Sequence, residues 1–191
     1  MPSAFEILGP LLQSAEPPLL GPKRRPEAWA NELVSACVDE LLPKAGVGGV
    51  TAQKVRALAF LWHDDLDASH AISQGLGDSD GSYLHGLMHR REPDFGNAAY
   101  WFRRVGKHPV FTQLARAVAP LPTTSAFKSR LIADNCWRPL AMIDACEAVD
   151  VEAVDAGDEE FLRQVQAIEF RLLLESFANG QRSSSLVAVN S

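Results

Sequence analysis

Three cysteines in 191 residues, Cys37, Cys136 and Cys146, make an odd set with no C-x-x-C spacing. That excludes a disulfide framework and a thiolate zinc site, and fits reduced thiols in a core. No stretch approaches the roughly 18 consecutive apolar residues that a bilayer span needs. The N-terminus has no basic segment followed by an apolar run and a cleavage site, so no secretory signal is read there. These absences predict a cytoplasmic protein. Concentrated positive charge is missing too: 18 basic residues stand against 24 acidic ones, net −6, which argues against a nucleic-acid partner or an anionic membrane surface. The chain also lacks a G-x-S-x-G elbow, a P-loop and a G-x-G-x-x-G fingerprint, which removes the usual serine-hydrolase and nucleotide-fold readings.

Strand-like alternation is absent except in the tail, Ser185 to Val189, and helical patterns fill most of the rest. Residues 1–26 hold Pro2, Pro10, Pro17, Pro18, Pro22 and Pro26. This density permits one short helix around Phe5 to Leu12 and predicts an arm. Further helices are predicted over Pro26 to Leu42, ended by Pro43, and over Thr51 to Gln74, capped by Thr51. Others follow over Gly81 to Glu92, capped by Asp80, and from the Asp94 cap to Val105. The remaining patterns cover Pro109 to Ala119, Ser125 to Trp137, Pro139 to Val149 and Asp158 to Ala178. The expected fold is all-α: a single-domain irregular bundle of six to eight helices over residues 27–180, with a flexible tail over 181–191.

What the chain has in one place is histidine. His63, His70, His85, His89 and His108 are its only five, and the first four stand among Asp64, Asp65, Asp67, Asp80, Glu92 and Asp94. Histidine titrates near neutrality and is the commonest metal ligand, so this window is the candidate site. His85 and His89 form an i, i+4 pair able to hold one cation from a single helical face. His70 lies five residues before the Gly75 stop and His85 five after Asp80, so an antiparallel hairpin sets them level. The expected ligands are His70, His85 and His89 on a divalent metal (Zn, Fe, Ni or Mn), with His63 a peripheral candidate. Asp67 and Glu92 are the candidate catalytic carboxylates. His108, just before Pro109, reads as a loop or capping residue. Asp65 falls on the apolar arc of its predicted helix, where a carboxylate must be paired or protonated.

Arg90, Arg91, Arg103, Arg104 and Lys107 follow directly on the acidic segment. Arg90, Asn97, Tyr100 and Arg104 are the candidate substrate-binding residues, an arginine there being suited to a carboxylate or phosphate. The other reading of the arginines is structural, as partners of Asp64, Asp65 or Glu92.

The run Leu61-Trp-His-Asp-Asp-Leu-Asp-Ala-Ser-His-Ala-Ile-Ser-Gln74, with Asp80-Gly-Ser-Tyr-Leu-His-Gly-Leu-Met-His-Arg-Arg-Glu-Pro-Asp94 and the following stretch to Pro109, resembles a family of bacterial and fungal hypothetical proteins. The likeness covers about a quarter of the chain and implies a signature in this window, with no activity attached. Two functions remain open from sequence. One is an enzyme acting on a small polar substrate, anionic ones included, through a divalent metal or by metal-free acid-base chemistry. The other is a small-molecule-binding or interaction protein in which the same residues form a hydrogen-bonded network. Either leaves homo-oligomerisation open.

Overall fold

The computed structural model describes residues 1–123, 125–151 and 154–187, with side chains described through residue 180. Its helices are α1 (Ala4–Leu8), α2 (Asn31–Ala45), α3 (Gly49–Trp62), α4 (Leu66–Ser73), α5 (Ser79–Arg91), α6 (Phe95–Val105), α7 (Pro109–Val118), α8 (Phe127–Leu131), α9 (Pro139–Asp150) and α10 (Ala156–Val187). A 3-10 turn, Gly9–Leu12, extends α1, and the two-residue strands β1 (Ile132–Ala133) and β2 (Cys136–Trp137) pair antiparallel. The expected all-α class holds. The helices outnumber the expected six to eight because two are only five residues long and one long prediction divides. No described helix is long and apolar enough to cross a membrane.

That division sets up the site. The Thr51 to Gln74 pattern becomes two helices, separated at His63, Asp64 and Asp65. Asp64 turns the chain with φ of 64°, a conformation that a short acidic side chain tolerates better than most. Asp65 caps α4 by accepting from the Ala68 N–H at 2.9 Å. Its carboxylate is thus used at a helix N-terminus, not within the apolar arc that an unbroken helix gives.

Three other local expectations shift. Pro43 lies inside α2, which ends two residues later at Ala45 and is capped by Gly46 with φ of 67°. Asp78, not Asp80, caps α5, accepting from Gly81 N at 2.8 Å. The predicted Ser125 to Trp137 helix stops at Leu131, because Asp134 and Asn135 both take positive φ and fold the chain back as a hairpin. The tail is helical through Val187; residues 188–191, where the expected alternation continues, lie outside the described residues.

Two apolar clusters make the interior. One joins α1, α2, α3, α5, α6 and α10 around Leu58, Leu61, Leu84, Leu87 and Phe170; the other joins α7, α8, α9 and α10 around Leu114, Leu131, Met142 and Leu162. The proline-rich segment is built into this core. Leu8, Leu11, Leu12 and Leu20 are buried, and Arg25 reaches Asp64.

Close approach of α5 and α6 depends on Gly86, where a Cβ would come within 2.9 Å of the Phe102 ring. Gly86→Ala must therefore push α6 outward or twist Phe102 in a packed interface. The expected loss is about 1–3 kcal/mol, read from urea unfolding midpoints, whereas an unchanged midpoint would mean that the ring moves freely.

Candidate metal centre

Helix phase assembles the site from α4, α5 and α6. On α5, His85 and His89 are one turn apart and their rings stack, with centroids 5.0 Å apart and 12° between planes. His70, from the last turn of α4, meets both edge-on, at 4.8 Å from His85 and 5.5 Å from His89. One ligand atom from each of the three lies within 4.8 Å of the others. Such spacing lets a single ion draw the imidazoles together at ordinary metal–nitrogen distances of about 2.0–2.2 Å.

Trp101 of α6 closes one side, stacked on His85 with centroids 4.0 Å apart and 14° between planes. Burial is the first cause that lowers the pKa of His85, to about 4, and the neighbouring charges of His89 and His70 act in the same direction. At neutral pH His85 is thus a neutral imidazole, the form that binds metals. The Nδ1 atoms of His85 and His89 are buried without a hydrogen-bond partner among the described residues. Buried polar atoms are rarely left so. Nδ1 of His89 does lie 3.2 Å from Glu92 Oε2 and 3.8 Å from Asp94 Oδ2, close in distance but without the alignment of a hydrogen bond.

The two remaining histidines differ from these in both respects. His63 stacks on Trp29 with centroids 4.5 Å apart, its Nε2 lies 3.1 Å from the Leu11 carbonyl, and its Nδ1 accepts from Trp29 N–H at 3.3 Å. It fastens the N-terminal segment to α3 and stands outside the triad. The expected peripheral ligand is removed because the turn at Asp64 takes His63 off the helix that carries His70. His108 caps α7 by accepting from Val110 N–H at 3.3 Å, with Nε2 2.9 Å from Asp80.

Asp67 and Glu92 come together from α4 and the end of α5 along an open cleft of about 350 Å³, which Arg24 and Asn31 also line. Asp67 is one turn before His70 and Glu92 one turn after His89, so this cleft adjoins the triad through both helices. Arg104 lies over the Trp101 ring at 5.3 Å and the Tyr100 ring at 5.8 Å, and half-exposed Tyr100 belongs to this outer side of the site. The Asn97 amide instead donates to Asp94 at 2.7 Å.

Arg90 and Arg91 point away from the imidazoles. Arg91 donates to Asp64 Oδ1 at 2.7 Å, and Arg25 Nε to Asp64 Oδ2, also at 2.7 Å. Arg90 donates to Glu169 Oε2 at 2.7 Å and Gln166 at 3.2 Å, while Tyr83 donates to the other Glu169 oxygen at 2.8 Å. The Arg90 and Glu169 side chains are both fully buried. Sequence reading missed Glu169 and Trp101. Glu169 carries a recognisable signal, an acid on the apolar stripe of Leu162, Val165, Leu172 and Leu173, whereas Trp101 reads as ordinary core. Comparison with family models, with curated proteins and with solved structures gave no match to this chain.

Proposed function

We propose that the protein is a helical enzyme with a three-histidine divalent-metal centre, His70, His85 and His89, acting on a small polar substrate. One observation carries this reading: one ligand atom from each of three imidazoles on two helices lies within 4.8 Å of the others, and two nitrogens of these rings are buried with no hydrogen-bond partner among the described residues. A hydrogen-bonded network would direct those nitrogens at carboxylates, as His63 and His108 direct theirs at backbone or Asp80.

Three imidazole nitrogen donors suit the later first-row ions, zinc foremost, better than manganese or magnesium. A divalent ion held there supplies Lewis acidity toward a substrate oxygen or water. The chain's own residues do the rest. Asp67 and Glu92, on the cleft beside the triad, would take a proton from a group entering it. Tyr100 and Arg104 flank the Trp101 side and suit an anionic group of the substrate. The competing interaction-protein reading draws support from the approach of Glu92 to His89 alone.

Elemental analysis of untagged protein checks the proposal. The expected result is one zinc-class ion per chain, lost in both His85→Ala and His89→Ala while far-UV circular dichroism is retained. Saturating zinc should stabilise the stripped protein by about 2.7 kcal/mol at a hundredfold excess over Kd. Protein that neither carries nor takes up a divalent metal, yet folds normally, would overturn it.

A further inference from the structure

By centroid distance, the closest ring pair among the described residues joins the histidine centre to a side chain with no ligand atom. The Trp101 indole lies on the His85 imidazole with centroids 4.0 Å apart and 14° between planes. This approach is built into the interface of α5 and α6. His85 and Gly86 are neighbours on α5, as Trp101 and Phe102 are on α6. The missing side chain at Gly86 lets the Phe102 ring come to where a Cβ would meet it at 2.9 Å, and Trp101 is thereby set down on His85.

A histidine that binds a metal usually has its ring held by a hydrogen bond from the second nitrogen to a carboxylate, a carbonyl or water. His63 and His108 have such partners in the Leu11 carbonyl and Asp80. At His85, by contrast, Nδ1 is buried with no hydrogen-bond partner among the described residues. What confines this ring is aromatic contact, with Trp101 on one side and with the edge of His70 and the ring of His89 beyond it.

Two neutral rings stacked face to face gain little beyond their buried area, because both faces are electron-rich. Coordination changes that balance. An ion drawing on an imidazole nitrogen leaves the ring electron-poor, and among aromatic side chains the indole face holds electron-poor and cationic groups best. The stack is then stronger with the ion in place than without it, and that difference adds to affinity for the ion.

We propose that Trp101 is a positioning residue of the histidine centre: its indole holds the His85 imidazole so that a nitrogen faces His70 and His89, in place of the usual hydrogen bond. This role rests on the triad being a metal site.

The test is zinc affinity of the full-length protein, measured by competition with a chelating indicator for wild type, Trp101→Phe and Trp101→Leu, beside the urea midpoint of each metal-free form. Leucine keeps apolar bulk without a ring face, whereas phenylalanine keeps a face. Trp101→Leu is expected to weaken zinc binding about ten- to a hundredfold, the usual cost of losing a group that orients a metal ligand. Trp101→Phe should recover most of that loss. In wild type, the Trp101 indole N–H resonance, assigned by its disappearance in Trp101→Phe, should shift as zinc binds, a readout that does not depend on the leucine variant folding. A wild type that takes up no zinc would overturn the metal centre and this role together. Zinc bound as tightly by Trp101→Leu as by wild type, or an indole resonance that zinc leaves unmoved, would overturn the role of Trp101 alone. So would a loss of affinity that phenylalanine does not relieve and that follows the urea midpoints, since Trp101 would then be packing only.

Discussion

Asp64→Ala is expected to destabilise the protein by about 3–5 kcal/mol, the cost of leaving buried charge uncompensated. The Asp64 side chain is fully buried, as is that of Arg91, and that of Arg25 is 4% exposed. Burial raises the Asp64 pKa, but the Arg91 charge and hydrogen bonds from the Arg25 backbone and side chain outweigh it and hold the carboxyl below its ordinary value. The same burial, with Arg25 and Arg90 nearby, lowers the pKa of Arg91 against the pull of Asp64. One carboxylate thus serves two guanidiniums, which also donate to the Trp62 and Leu61 carbonyls at the end of α3. Alanine would leave both cations facing each other in the core and would fit poorly at positive φ. Asp64→Asn separates the two effects, since it keeps the short polar side chain but removes the charge. Equilibrium urea unfolding measures the series: a loss below about 1 kcal/mol for alanine would show that water replaces the carboxylate readily.

The same carboxylate explains why some of the site was legible in the sequence and some was not. His85 and His89 followed from helical periodicity alone, and His70 from the level of the hairpin, because these depend on local geometry of α4, α5 and the turn between them. His63 did not follow. Nothing local breaks the helix after Trp62: there is no glycine or proline, and the turn is held by Arg25 and Arg91, 39 and 27 residues away. The faint local signal was Asp65 ahead of Leu66, an N-cap followed by an acidic first turn. Sequence proximity to His89 suggests an anion contact for Arg90, but adjacent helical residues point about 100° apart, and its acid partner is Glu169 on α10. Long-range ion pairs have no periodicity to read. The proline-rich segment misled for a related reason, since its leucines are spaced for a surface that only the folded bundle provides.

Lowering the pH from 7 to 4 is expected to remove about 2–3 kcal/mol of stability for each of two neutral histidines, the lower figure allowing for solvent screening. His63 and His85 both have folded pKa values of about 4 against an ordinary 6.5. For His63 burial is the leading cause, opposed by the Leu11 carbonyl and reinforced by Arg25. The unfolded chain takes up protons near 6.5, whereas the folded chain does so only near 4. Stability is therefore full above the unfolded value and falls as pH drops toward the folded one, by at most about 1.4 kcal/mol per histidine for each pH step of one. Asp64 and Asp80, held below the usual aspartate value, add a loss of their own as pH nears the ordinary carboxylate range, so the histidine slope is read between about pH 6 and 5. His63→Gln, which can still accept from Trp29, should halve the slope of unfolding free energy against pH in metal-free protein. An unchanged slope would mean that His63 takes up its proton as readily in the folded chain as in the unfolded one. Added zinc turns the same measurement on the triad: a proton on His85 must compete with a metal for the same imidazole. The metal-loaded protein should then start from higher stability at neutral pH and lose it more steeply toward pH 4. Curves with and without zinc that stay parallel would separate His85 from any metal and leave its low pKa a property of the core alone.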